Sequence, residues 1–293
     1  MDSLVTVIIP AYNRARVIKS SIDSVLNQTY QNFEIIVVND GSKDNTSDVI
    51  IEILQKDSRI TYLEHSTNLG SQKARNTGIK ASKGEWITFL DSDDQLLLDS
   101  LEKRLKLAIE QKVNVVHSEC YVIHNDNQLK LFGVPPFHGN IYKQLLTSPA
   151  PVFPSLFISK EAIEKINYLD ESIIAYQEWD TSIRLAKFYP FGFVPEPTFT
   201  YDCRGQDTIS KNLLRGANGY KQVIDKHWKD IIKYAGVGTI SRHYSTLSKQ
   251  YKNVDKRKTI VYRLVSYFYL PNFILDAVNV TKKLLKKLIK SNK

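Results

Sequence analysis

The chain has 293 residues, 42% hydrophobic and 24% charged, enough apolar material for a sizeable core and too much for disorder over most of its length. Its only cysteines, Cys120 and Cys203, lie far apart without metal-ligand spacing, which argues against a disulfide framework or a zinc site and suits small buried hydrophobes. The formal charge of +9 is unevenly spread: residues 1–214 hold 22 Lys/Arg against 27 Asp/Glu, whereas residues 215–293 hold 18 against 4, so the basic total does not describe a nucleic-acid-binding chain.

Short apolar segments at 5–10, 33–39, 60–65, 86–90 and 113–123 have the β-branched and aromatic content of strands. Between them, helical patterns cover 17–27, 46–55, 71–83 and 98–112, and Gly84 is expected in a left-handed position closing the third helix. This alternation predicts an α/β fold: a mainly parallel central sheet, flanked by helices and built from right-handed crossovers. From 125 to 214 the rhythm breaks among eight prolines (Pro135, Pro136, Pro149, Pro151, Pro154, Pro190, Pro195 and Pro197), as expected of loops around a site, with a helix at 178–188 as the rigid element. The expected division is a domain at 1–214, with halves at 1–124 and 125–214, followed by a basic helical extension at 215–293.

In that extension, Phe273, Ile274, Ala277, Val278, Leu284, Leu285, Leu288 and Ile289 recur at helical spacing, with Lys282, Lys283, Lys286, Lys287 and Lys290 on the opposite arc. The longest uncharged run before it, 264–275, has 12 residues and contains Pro271, whereas a membrane span needs about 20. The tail is therefore expected to lie on an anionic membrane surface, or else to pack on the protein or a second subunit. Nothing in it resembles a nucleic-acid module. Without a leader-like N-terminus, the protein is expected to be cytoplasmic, associated peripherally with the inner face of the membrane.

The most informative stretch is Trp86-Ile87-Thr88-Phe89-Leu90-Asp91-Ser92-Asp93-Asp94, a strand-like run ending in three carboxylates. Asp-x-Asp at the tip of a buried strand offers oxygen ligands to a hard cation that in turn holds a diphosphate. Such a tripeptide also serves as a polar turn capping the next helix. A helix-loop-helix calcium site fits badly, because the sixth position from Asp91 is Leu96 rather than Gly. In a doubly wound sheet, ligands sit outside the carboxyl ends of the strands. Two more strand ends are polar, Pro10-Ala11-Tyr12-Asn13-Arg14 and Asn39-Asp40-Gly41-Ser42, and the helix after the third strand carries Arg75 near its positive end.

These motifs, in this order and at this spacing, resemble the family 2 glycosyltransferases over residues 4 to about 210. The resemblance implies a GT-A fold and transfer of a sugar from a nucleoside diphosphate donor, most often a uridine one. On it, Pro10, Ala11, Tyr12 and Asp40 line the nucleobase side of the donor, Arg75 lies by the base or diphosphate, Asp91 and Ser92 by the ribose, and Asp93 ligates Mg²⁺ or Mn²⁺. Tyr176-Gln177-Glu178-Trp179-Asp180 matches the family's acidic motif, with Gln177 in place of the first acid and Glu178 at the position of the general base. Asp180 would hold the local turn or touch acceptor. Tyr201-Asp202-Cys203-Arg204 stands where relatives carry a His near the diphosphate; here that His is missing, and Arg204 is its candidate replacement. The function implied is inverting, metal-dependent transfer to a hydroxyl of a glycan or lipid-linked glycan in bacterial surface polysaccharide biosynthesis, with a homo-oligomer possible. The rivals are a nucleotidyltransferase that makes sugar nucleotides, although 10–14 has no glycine-rich phosphate loop, and a non-catalytic glycan-binding relative.

Overall fold

A computed structural model of the chain describes residues 2–269 except 125, 127, 134–135, 150–151 and 205–211. Strands β1 (Val5–Ala11), β2 (Phe33–Asn39), β3 (Ile60–Glu64) and β4 (Trp86–Phe89) form its parallel half. β1 is central, paired from Val5↔Phe33 to Ala11↔Asn39 on one side and from Val5↔Trp86 to Ile8↔Phe89 on the other. Covered on both faces by helices, it reads as an almost unbroken apolar run. The helices α1 (Ile18–Leu26), α2 (Thr46–Leu54), α3 (Ser71–Ala81) and α4 (Ser100–Gln111) supply the crossovers. Ile18, Ile22 and Val25 of α1 bury one stripe in the same core as Val7, Ile9, Ile35 and Val37.

The second half completes the sheet with β5 (Gln95–Leu96), β6 (Val115–Ile123), β7 (Leu129–Phe132), β8 (Phe157–Ser159) and β9 (Phe191–Asp202). The strand order is β3-β2-β1-β4-β8-β6-β9-β5, with β7 pairing β6. β8 runs antiparallel to both neighbours, so the sheet is mixed beyond β4, while β6 and β9 pair in parallel. The helices α5 (Tyr142–Leu145), α6 (Lys160–Lys165) and α7 (Gln177–Ala186) lie between these strands in sequence. Pro195 and Pro197 fall inside β9, where the ladder to β6 slips register between Ser118 and Tyr121; a proline cannot donate to a ladder, so the strand tolerates it by bulging.

Gly84 does not close α3 in a left-handed conformation, contrary to expectation: the helix ends at the extended Ser82, and Gly84 is absent from the positive-φ glycines. What requires glycine there is closeness. An added Cβ would stand 2.5 Å from Thr6 Oγ1 and 2.8 Å from the Leu4 carbonyl, and the Gly84 N–H donates to Thr6 Oγ1 at 3.1 Å. Gly41 does need its positive φ of 70°, because it turns the chain from β2 against the backbone of Thr67.

The described residues fall into two compact units, divided between 211 and 212. In the second, α8 (Leu213–Asp230) is capped by Asn212, whose side chain accepts from the Arg215 N–H at 2.9 Å, and runs into a π-helical turn at Ile231–Ala235. α9 (Val237–Tyr251) and α10 (Lys256–Phe268) follow. The core of this unit gathers Tyr220, Val223, Ile224, Ile240, Leu247 and Tyr251, beside ring contacts of Trp228 with Tyr244 and Tyr269. Among the described residues no helix is long and apolar enough to cross a membrane. The amphipathic tail at 273–293 lies outside them.

Candidate active site

The ends of β1 and β2 are fastened together by side chains that serve backbone groups. Asn13, held at φ 54°, donates its N–H to Ser42 Oγ at 2.9 Å and accepts from the Lys43 N–H at 2.8 Å, while the Arg14 N–H donates to Thr46 Oγ1 at 2.8 Å. This reciprocal lacing leaves Pro10 partly exposed, Ala11 buried and the Tyr12 ring open to solvent at the rim. Asp40 is buried. Its carboxylate accepts from the Leu69 N–H at 2.9 Å and the Gly70 N–H at 2.7 Å, and it contacts His65 Nδ1 at 2.7 Å. His65 Nε2 in turn reaches Thr77 Oγ1 at 2.9 Å. Asp40 thus shapes the loop that enters α3, and His65, which sequence reasoning passed over, orients it from behind.

The tip of β4 carries the three acids. Asp91 and Asp93 are partly exposed, Ser92 and Asp94 are buried. Arg75 from α3 donates to Asp91 Oδ1 at 2.5 Å and to Gln72 Oε1 at 3.1 Å, and its guanidinium lies 4.4 Å from the centroid of the Phe153 ring. Burial raises the pKa of Asp93, the negative charge of Asp91 adds to the shift, and the Arg14 guanidinium 3.8 Å away opposes it. Asp94 accepts from the Asp202 N–H at 2.9 Å through Oδ1, which ties the β4 tip to the end of β9; its buried Oδ2 has no partner, and burial raises its pKa well above normal, with the charges of Asp91, Asp93 and Asp202 adding to it.

Among the described residues no three acidic, His or Cys side chains are gathered as a ready-made metal site. The donor chemistry nevertheless fits a hard cation: Asp93 is a partly exposed carboxylate among like charges, beside an orphaned carboxylate oxygen. Mg²⁺ sites commonly use only one or two protein carboxylates and take the remaining oxygens from substrate phosphates and water.

α7 brings in the last acid. Asn76 of α3 donates to the Leu169 carbonyl at 2.9 Å and to Glu171 Oε1 at 2.8 Å, and it accepts from the Leu169 N–H at 3.0 Å, clamping the approach to α7. Tyr176 then takes φ 58° before the first turn, and Trp179 anchors that turn, fully buried with its Nε1 donating to the Leu145 carbonyl at 2.6 Å. Between them Glu178 remains partly exposed. Loss of solvation pushes its carboxyl pKa up to about 6; its own backbone N–H and the charge of Arg75 oppose that shift, and the charge of Asp91 adds to it. Glu178 and the Arg75–Asp91 pair therefore lie within electrostatic reach of one another.

Two other candidates are engaged by neighbouring side chains, Arg204 at the end of β9 that meets the β4 tip through Asp202 and Asp94. Asp180 is buried and accepts from Arg184 Nε at 2.9 Å, while the partly exposed Arg184 donates to the carbonyls of Ile166 and Tyr168 at 2.8 and 2.7 Å, so the pair braces the turn before α7. Arg204 is exposed and forked onto Asp202, with Nε 2.9 Å from Oδ1 and Nη2 2.6 Å from Oδ2.

The glycosyl transferase family 2 model matches residues 6–166. An uncharacterized glycosyltransferase of Methanocaldococcus jannaschii is 30% identical over 281 residues, covering 93% of this chain and 91% of that protein. A UDP-Glc:alpha-D-GlcNAc-diphosphoundecaprenol beta-1,3-glucosyltransferase, WfgD, of Escherichia coli is 37% identical over 134 residues, 46% of this chain and 52% of its own. Other relatives are longer still: an uncharacterized glycosyltransferase of Rickettsia bellii is 34% identical over 74% of this chain but only 31% of its own length. Among solved structures, Staphylococcus aureus TarS 1–349 in complex with UDP-GlcNAc matches with a TM-score of 0.70 at 17% identity, over 92% of this chain and 82% of that one. The mannosyltransferase PcManGT of Pyrobaculum calidifontis, with GDP-Man and Mn²⁺, matches with a TM-score of 0.66 at 18% identity, over 96% and 80%. At such identities the structures speak for the fold, which is that of the GT-A glycosyltransferases, and the family match and the full-length archaeal relative speak for descent. The chain belongs to glycosyl transferase family 2.

Proposed function

We propose that the chain catalyses inverting transfer of a sugar from a nucleoside diphosphate sugar, a uridine one in the first instance, to a hydroxyl of a glycan or lipid-linked glycan, with Glu178 as general base. The observation that carries this reading is that α7, which bears Glu178, opens against the start of α3, which bears Arg75: Ser71 Oγ donates to Gln177 Oε1 at 3.5 Å, and the charges of Arg75 and Asp91 act on the Glu178 carboxyl. A sugar hydroxyl is a poor nucleophile, so a carboxylate must take its proton as it attacks the anomeric carbon. One carboxylate acting as base suits one in-line displacement, in which the hydroxyl oxygen bonds to the anomeric carbon as the bond to the diphosphate breaks, inverting that centre.

On the donor side, Pro10, Ala11, Tyr12 and Asp40, at the ends of β1 and β2, are assigned to the base, and Asp91 and Ser92, past the end of β4, to the ribose. Arg75 and the first amides of α3, which no side chain caps, face the diphosphate with positive charge. Asp93 would hold Mg²⁺ or Mn²⁺, and a bound cation neutralises charge on the departing diphosphate. Asp180 acts by bracing α7, and Arg204, forked onto Asp202 through Nε and Nη2, is the candidate phosphate contact from the end of β9. The lipid-linked acceptor named for WfgD and the basic tail at 273–293 both support work at the inner face of a membrane, within surface polysaccharide synthesis.

The test pairs transfer with donor binding. A panel of nucleotide sugars assayed for hydrolysis and transfer identifies the donor, and Glu178→Gln is expected to lower transfer about 10²–10⁴-fold while calorimetry shows the donor bound as before. Full transfer by that variant refutes the base. Asp93→Asn, or a chelator, is expected to weaken donor binding at least tenfold, about 1.4 kcal/mol, and donor binding indifferent to both refutes the cation site.

A further inference from the structure

We infer that the outer face of α10 is a docking surface for an anionic lipid bilayer, formed by described residues of the helical unit and not by 273–293. The inner side of α10 is occupied: Ser266 is buried and its carbonyl accepts from Ser241 Oγ at 2.7 Å, the Thr259 carbonyl accepts from Ser248 Oγ at 2.9 Å, and the Tyr262 ring meets Tyr244 and Tyr251 at 5.7 and 5.3 Å. The outer side carries Ile260, Val261, Leu264 and Tyr267, whose spacing sets them on one stripe, exposed by 62, 52, 56 and 40%. A helix on a soluble domain ordinarily turns such a stripe inward. An apolar row left outside marks a contact surface.

The charge around the stripe selects the partner. After its N-cap Asp255, α10 contains Lys256, Arg257, Lys258 and Arg263 and no acidic residue; Lys258 lies inward, over the Tyr251 ring at 4.9 Å, which leaves Lys256, Arg257 and Arg263 to border the stripe. Arg263 is held beside the apolar row, its Nε donating to the Tyr267 hydroxyl at 3.2 Å and its guanidinium 5.5 Å from that ring. An aliphatic row bordered by cations and a tyrosine matches the interface of a bilayer, where acyl chains take the apolar side chains and phosphate headgroups take the cations. A polyanion such as RNA would satisfy the cations and leave Ile260, Val261 and Leu264 in water. With 13 residues α10 is too short to span a bilayer, so it lies along the surface. This inference deepens the proposed function by naming a face that would meet the membrane holding a lipid-linked acceptor, and its measurement does not depend on catalysis.

The full chain is sedimented with phosphatidylcholine vesicles with and without phosphatidylglycerol, at low and high salt, as wild type and as the triple variant Ile260→Gln/Val261→Gln/Leu264→Gln. Expected is binding only to the anionic vesicles, weakened by salt, with the partition coefficient of the triple variant lower by about tenfold or more and its circular dichroism and melting midpoint unchanged. The charge variant Lys256→Glu/Arg257→Glu is expected to lose a similar factor at low salt. Unchanged partition of the triple variant overturns the inference, because the tail is still present in it. So does a wild-type dimer in sedimentation velocity that the triple variant abolishes with no change at vesicles, since the face then belongs to a second copy. If the triple variant melts early, Leu264→Gln alone decides, with a roughly threefold loss supporting the surface and none overturning it. Transfer and donor hydrolysis are followed separately, so an inactive enzyme that still binds vesicles counts against the proposed reaction and not against this surface.

Discussion

Glu178 pays for its position in stability, and the sign can be worked out. Its carboxyl is raised from an ordinary 4.5 to about 6, so the folded state binds the proton more tightly than the unfolded chain does. The protonated form is the favoured one, and the folded state loses stability as pH rises from about 4.5 through about 6, by about 1–2 kcal/mol in all. Glu178→Gln removes that penalty, so above pH 7 the variant is expected to melt higher than wild type while transferring little sugar; at pH 4 the two should melt together. Catalysis runs the other way, because the base works only when ionised. The rate at low acceptor is expected to rise with pH through about 6 and level off, and a profile flat between pH 5 and 8 would dismiss Glu178 as the base. Motif spacing picked out Asp40, Asp91, Asp93 and Glu178 as candidates, since each follows a strand or opens a helix. His65, Asn76 and Asp94 were not legible as supports, because their partners, Asp40, Leu169 and Asp202, lie 25 to 108 residues away and only the folded chain brings them together.

At the scale of elements, α3 carries the site. It touches β1 through Gly78, the β4 tip through Arg75 and the approach to α7 through Asn76, so small changes along it should act at a distance. An alanine at Gly78 would set its Cβ 2.6 Å from Ile8 Cγ2, and Ile8 is itself fully buried in the central strand. Gly78→Ala is expected to cost about 1–3 kcal/mol in urea unfolding as α3 lifts from the sheet. Asn76→Ala removes three hydrogen bonds and should cost about 1–3 kcal/mol while lowering kcat more than it raises the donor KM, since it loosens the support of Glu178 and leaves the donor side in place. The elements most legible in sequence were β1 to β4 and α1 to α4, where long apolar periods and parallel crossovers constrain one another. The missed strands have physical excuses: β5 has two residues, β7 has four, all exposed and without a buried apolar face, β8 has three, and β9 contains the prolines that mark loops elsewhere and here produce a bulge. Gly84 was misread because a close approach to Thr6 leaves the same trace in a sequence as a left-handed turn.

At the scale of the whole molecule, every residue assigned to donor or base lies within 1–211, whereas the described residues from 212 onward form a second unit with its own helical core. Charge follows the same division, with the acidic excess in the first and the basic excess in the second. This separation predicts that damage to the helical core spares nucleotide binding. Leu247 of α9 is fully buried, and Leu247→Ala is expected to destabilise the second unit by about 2–5 kcal/mol. In scanning calorimetry the variant should then unfold in two resolved steps, with the earlier one confined to the helices and the later one shifted upward by donor, because a ligand stabilises only the unit that binds it. Vesicle binding through α10 should fall away with the first step while donor titration at a lower temperature gives the wild-type affinity. A single transition that carries donor binding with it would mean that the two units fold as one and that the division of labour between them is wrong.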